Sequence, residues 1–223
     1  MCYTPEMSFG FALLGIAGII YLKHDTKHKY ISYIIFFYVL MELLQTVQNY
    51  IVNDCDNVLN RVLTEVAYVF VIVQPLIWNM YFYFNSKPME QGLFKAGIGL
   101  SLGWMVFNVI NRVMYGRYQP STERDSLYSG DKVCTYKGVS HLYWKWTSAN
   151  MGDMNATFIT HILIWFIPAL LSTSHVLSAI IILAGALLSM VISTYMGDIR
   201  GFTAAWCYIS IPLIAIILGK DIL

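Results

Sequence analysis

Charge is what this chain has least of. Asp, Glu, Lys and Arg make up 12% of its 223 residues, about half the share usual in soluble domains, and 57% are hydrophobic. Too few charges remain to coat a water-soluble fold, so composition places the chain among multi-pass membrane proteins. The formal net charge is +1, with no basic tail and no polybasic cluster. That excludes a nucleic-acid partner and a docking patch for anionic lipid. The opening residues, MCYTPEMSFGF, lack the positive n-region of a signal peptide, so the first apolar run is expected to be a retained span. Low-complexity segments and clear internal repeats are missing too.

The common catalytic signatures are also absent. There is no HExxH, no GxSxG and no nucleotide-binding glycine pattern. No lysine lies in the middle of the last apolar run, which removes a retinal Schiff base there. His24 and His28 are four apart, a spacing that on a helix can hold a metal, but Lys23, Lys27 and Lys29 surround them and repel a cation. No metal site and no cofactor is assigned from the sequence.

What the chain has is long apolar runs: 5–22, 30–52, 62–84, 92–113, 156–171, 176–196 and 201–219. They approach or exceed the length that crosses hydrocarbon. The expected fold is all-α, an integral membrane bundle of seven transmembrane helices in one domain over residues 1–223. One long ordered extracellular connection, 114–155, joins the fourth and fifth. Gly10, Gly15 and Gly18 suggest close packing of the first helix, and Gly99 and Gly103 form a GxxxG in the fourth. Cations of the short loops favour an outside or lumenal N-terminus and a cytoplasmic C-terminus. Lys23, Lys27, Lys29, Lys87, Lys95 and Lys220 fall on one side, and Arg61 and Arg200 on the other.

The second run reads YISYIIFFYVLMELLQTVQNYIV and carries an acid near its middle. Glu42, Gln45, Thr46 and Asn49 share one helical face. An acid at that depth is costly and marks a site or pathway by default. Other polar groups gather toward the same end: Glu65 and Gln74 in the third run, Asn108 and Arg112 in the fourth, His161 in the fifth and Trp206 in the seventh. Two explanations compete. Interhelical hydrogen bonds, worth about 0.6 kcal/mol each, would merely hold helices together. A polar cavity open to the outside would admit an ion or small ligand, lined by Glu42, Gln45, Asn49, Glu65, Gln74, Asn108, His161 and Trp206. Arg112 is expected to snorkel or to pair with Glu65.

Cys2, Cys55, Cys134 and Cys207 would all lie at this end and could form two disulfides, with three pairings open. In the long connection, CTYKGVSHLYWKW could turn a hairpin at Lys137–Gly138. Its Tyr143, Trp144 and Trp146 would form an interfacial belt, or the segment would be a lid with His141 facing down.

In order along the chain, MCYTPEMS, MELLQTVQ, CDNVLN, QPLIWN, CTYKGVSHLYW, His161 with FIPALL, and AAWCYISI together resemble an uncharacterised family of multi-pass proteins of large DNA viruses, protists and some bacteria. The resemblance implies a viral or protist source. It directs attention to Glu42, Gln45, Gln74, Cys55, Cys134, His141, His161 and Cys207, but implies no reaction. The expected function is therefore receptor-like or transporter-like binding or conduction of a small ligand or ion. The partners would be a lipid bilayer and that ligand, with an oligomer left open. The alternatives are a membrane-embedded hydrolase using Glu42 and His161, and a structural membrane protein of a virion or organelle.

Overall fold

The computed structural model of the chain describes residues 4–22, 29–115, 132–138, 141–146, 160, 162–195, 197, 206 and 209–210. Five of its helices are long and apolar enough to cross a membrane: α1 (Pro5–Leu22), α2 (Lys29–Gln48), α3 (Val58–Asn85), α4 (Gln91–Tyr115) and α6 (Val176–Tyr195). A two-stranded hairpin, β1 (Cys134–Lys137) and β2 (Leu142–Lys145), follows α4. A π-helical segment (Ile162–Phe166) and the single turn α5 (Ile167–Leu170) precede α6. Internal contacts divide the chain into two compact units. The first holds α1, α2, the start of α3, the hairpin and most of α6. The second holds the rest of α3, α4, the π-helical segment, α5 and the start of α6.

The fold is not purely α, because residues 134–145 pair as an antiparallel ladder. Among the described residues, five helices and not seven are long and apolar enough to cross a membrane. The described part of the run 156–171 is a wide π coil followed by one α turn, whereas hydropathy reports composition and not the hydrogen-bond pattern. The run 201–219 lies almost wholly outside the described residues. The second run ends as helix at Gln48 rather than residue 52, because the Tyr50 and Ile51 N–H groups reach carbonyls three residues back, at 3.1 and 3.0 Å, and the chain turns.

In the first unit, α1 starts where the sequence marks a start. Thr4 caps it through Oγ1 to the Met7 N–H, Pro5 sits in the first turn, and Glu6 complements the helix dipole. The helix buries only Ser8, Ala12, Gly15 and Leu22. Its other faces expose Phe9, Leu13, Leu14, Ile16 and Ile20, the surface a bilayer would cover. Small residues on the stripe let α1 approach α2 closely. A Cβ added at Gly15 would collide with Val39 Cγ2 and lie 3.5 Å from Ile35 Cγ2. Gly10 touches nothing in this way, so of the glycines expected to pack, Gly15 sets the spacing.

The hairpin register pairs Thr135 with Trp144 and Tyr136 with Tyr143, and the Gly138 N–H closes the turn onto the His141 carbonyl at 2.7 Å. The turn thus falls next to the expected Lys137–Gly138. The hairpin is no interfacial belt: Trp144, Trp146, Leu142 and His141 are all buried. Asn60 holds it by reading the Thr135 backbone like a neighbouring strand. Its Oδ1 accepts the Thr135 N–H at 2.9 Å, and its Nδ2 donates to the Thr135 carbonyl at 3.2 Å and to the Ile51 carbonyl at 2.6 Å. Thr135 Oγ1 meets Thr64 Oγ1 at 2.7 Å and accepts from Gln48 Nε2 at 3.0 Å, while Gln48 Oε1 accepts from the Trp144 indole. Asn53, at φ 64°, takes the left-handed conformation that Asn tolerates, and pairs with Thr135 and Lys137. A Cys55–Cys134 disulfide closes the clasp, with Cα atoms 5.1 Å apart.

In the second unit, Asn79 Nδ2 ties three elements. It donates to the Pro75 carbonyl at 2.8 Å, to Ser101 Oγ on α4 at 3.4 Å and to the Ile164 carbonyl of the π-helical segment at 3.0 Å. Trp78 stacks on Trp165 beside this knot. Gly97, not the GxxxG pair, is where α4 needs a missing side chain; Gly99 and Gly103 have nothing within 4 Å of an added Cβ.

The start of α6 is capped from outside. Ser172 Oγ accepts the His175 N–H at 3.2 Å, and the Glu90 carboxylate accepts from Ser172 Oγ and from the Thr173 N–H and hydroxyl. These bonds hold the Glu90 carboxyl down at about 2, the Thr173 hydroxyl contributing most. A depressed folded value gives stability that is complete above the ordinary carboxylate range and is lost as pH falls toward about 2. Wild-type melting temperature should therefore drop by a few degrees across that acid window, relative to Glu90→Gln. Parallel curves for the two proteins would show that the cap contributes nothing.

Candidate functional site

Glu42 and Gln45 stand one helical turn apart on α2, and both are fully buried. Neither carboxylate oxygen of Glu42 and neither amide atom of Gln45 has a hydrogen-bond partner among the described residues. Ser8, on the buried stripe of α1, bears on the Glu42 carboxyl, and its hydroxyl likewise makes no bond of normal geometry. The pairing follows from the helix register. Gly15 lies seven residues after Ser8 and meets Ile35, which lies seven residues before Glu42. An antiparallel pair in that register sets Ser8 opposite Glu42. Buried polar groups are almost always paired, so five unpaired polar atoms on three neighbouring side chains form an unusual cluster.

Three other expected site residues, Asn49, Glu65 and Asn108, are paired. Asn49 donates to the Gln45 carbonyl and accepts from Lys137 Nζ of the hairpin at 3.1 Å. Glu65 makes a two-point ion pair with Arg112, through Nε at 2.8 Å and Nη2 at 2.5 Å. Arg112 also lies over the Tyr68 ring, and Tyr68 donates to Asn108 Oδ1 at 2.9 Å. Asn108 in turn donates to the Trp104 carbonyl of its own helix. Gln74 is buried on α3 in the second unit, and Trp206 is buried in the first. His161, Cys2 and Cys207 lie outside the described residues. Of the three disulfide pairings open in the sequence, the structure contains Cys55–Cys134.

Sequence reasoning missed Ser8, Asn60, Thr64 and Thr135. Asn60 and Thr64 read as ordinary polar residues at a helix start. Ser8 was one small residue among many, although its heptad spacing to Gly15 is a visible signal.

The five described helices long and apolar enough to cross a membrane are consistent with a helical membrane protein. It belongs to DUF5765, a family of unknown function, which it matches over residues 6–222. No curated protein and no solved structure matches it.

Proposed function

We propose that this protein is a multi-pass membrane protein that binds, or passes, a small ligand or ion at Glu42. One observation carries the reading: an acid fully buried on an apolar helix, beside a fully buried amide, with no hydrogen-bond partner for either among the described residues. Such groups cost several kcal/mol when left alone, on the order of 1–3 each even by protein mutational data. A ligand that satisfies them would return that energy as affinity. The hairpin side is the outside or lumenal one in this reading, supported by the disulfide, which persists in oxidising compartments. The cation balance of the short loops points the same way.

Glu42→Gln should abolish ligand-dependent thermal shift or flux in purified protein across an ion and small-molecule screen. Without ligand the variant should melt no lower than wild type, because it removes an acid that has no partner. A marked loss of basal stability, with no ligand response in wild type, would instead assign Glu42 to holding helices together. Hydrolysis of lipid or peptide that disappears in Glu42→Gln would favour an enzyme.

A further inference from the structure

We propose that the Ser8–Glu42–Gln45 cluster takes a single dehydrated monovalent metal cation of sodium size. This rests on the binding reading above and names its ligand. The donor set is oxygen: two carboxylate oxygens of Glu42, the amide oxygen of Gln45 and the hydroxyl of Ser8, none hydrogen-bonded among the described residues. Among the described residues no thiolate or imidazole belongs to the cluster, and those are the ligands that favour zinc, copper or iron.

Charge selects the valence. One carboxylate supplies a single negative charge, which a monovalent cation neutralises. A divalent ion would leave a net positive charge buried, at a cost of several kcal/mol. Calcium also requires about 6–8 oxygen ligands, and magnesium keeps much of its water. An anion would meet the carboxylate directly and be repelled.

Space selects the size. Ser8 and Glu42 face each other across helices whose spacing is fixed one heptad away by Gly15 against Val39. All three side chains are buried, at 1%, 0% and 0% exposure for Ser8, Glu42 and Gln45. A bare ion is smaller than an organic ammonium group, so at such a tightly spaced helix pair it would ask for less displacement of α1.

The test uses the full chain, purified in detergent at mildly alkaline pH, with sodium chloride titrated against choline chloride at constant ionic strength. Sodium should raise the melting temperature with a saturating curve. Glu42→Gln should lose the dependence, and Gln45→Leu and Ser8→Ala should each weaken it by about tenfold, the equivalent of one charge-assisted contact. Ser8→Ala is a minimal change on a stripe of small residues and serves if Gln45→Leu does not fold. Sodium-23 line broadening that Glu42→Gln removes is the second measurement.

Equal response to choline, or a sodium response that survives in Glu42→Gln, would overturn the proposal. A potassium response matching that of sodium would overturn the size assignment. If sodium is silent while another compound shifts wild type in a Glu42-dependent way, the cation inference fails and the binding reading stands. Silence to every compound defeats both.

Discussion

Asn60→Leu should unseat the hairpin and destabilise the protein by about 2–6 kcal/mol. The estimate follows from what the side chain does. Its amide accepts the Thr135 N–H and donates to the carbonyls of Ile51 and Thr135, all on buried or half-buried backbone. Leucine fills a similar volume and replaces none of these bonds. The Thr135 N–H and the Ile51 carbonyl then lose the partner Asn60 gave them, at about 1–3 kcal/mol each. The Thr135 carbonyl fares better, because the Asn53 N–H still reaches it at 3.0 Å.

The disulfide keeps the hairpin tethered in the variant, so the loss is of seating and not of attachment. Trypsin cleavage after Lys137 or Lys145 and faster reduction of Cys55–Cys134 should accompany a lower melting temperature. Asn60→Asp retains the acceptor and loses both donated bonds, and should fall between wild type and Asn60→Leu. A leucine variant within about 0.5 kcal/mol of wild type would show that the clasp is held by the disulfide and side-chain packing alone.

This clasp marks the boundary of what the residues disclose in order. The helices α1, α3, α4 and α6 were legible to within a few positions, because a membrane demands runs of fixed length and apolar character. Cys134–Lys145 was legible as a hairpin from Lys137–Gly138. Its docking was not, since Asn60 recognises a backbone 75 residues away and nothing in its neighbourhood requires that partner. The same limit applies to the site. Period-three spacing set Glu42 and Gln45 on one face, and the structure leaves both without a bond. Asn49, Glu65 and Asn108 looked equivalent on the page. They differ because Asn49 and Asn108 reach the carbonyl four residues back, and Glu65 has Arg112 beside it. Polarity is written in the sequence, whereas satisfaction depends on which neighbour arrives.

Gly97→Ala should be the most damaging single-methyl addition in the second unit, at about 2–4 kcal/mol. In an isolated helix the change would stabilise by roughly 1 kcal/mol, because alanine restricts the unfolded chain. Here the new Cβ would overlap Asn79 Oδ1, lie 2.8 Å from Asn79 Cγ and 3.3 Å from Pro168 Cγ. Pro168 is part of a buried turn and cannot retreat far, so Asn79 must move. Moving it breaks the bonds to the Pro75 and Ile164 carbonyls and to Ser101, and with them the tie between α3, α4 and the π-helical segment. Gly99→Ala and Gly103→Ala add the same methyl on the same helix where an added Cβ meets nothing within 4 Å. Those two should be neutral or stabilising. Combining Gly97→Ala with Asn79→Ala removes the colliding amide, so the double variant should lose less than the sum of the singles, a coupling of about 1–2 kcal/mol. Additive losses, or a Gly97→Ala melting curve that overlays Gly99→Ala, would mean that Asn79 has room to turn aside and that α4 is held by apolar packing instead.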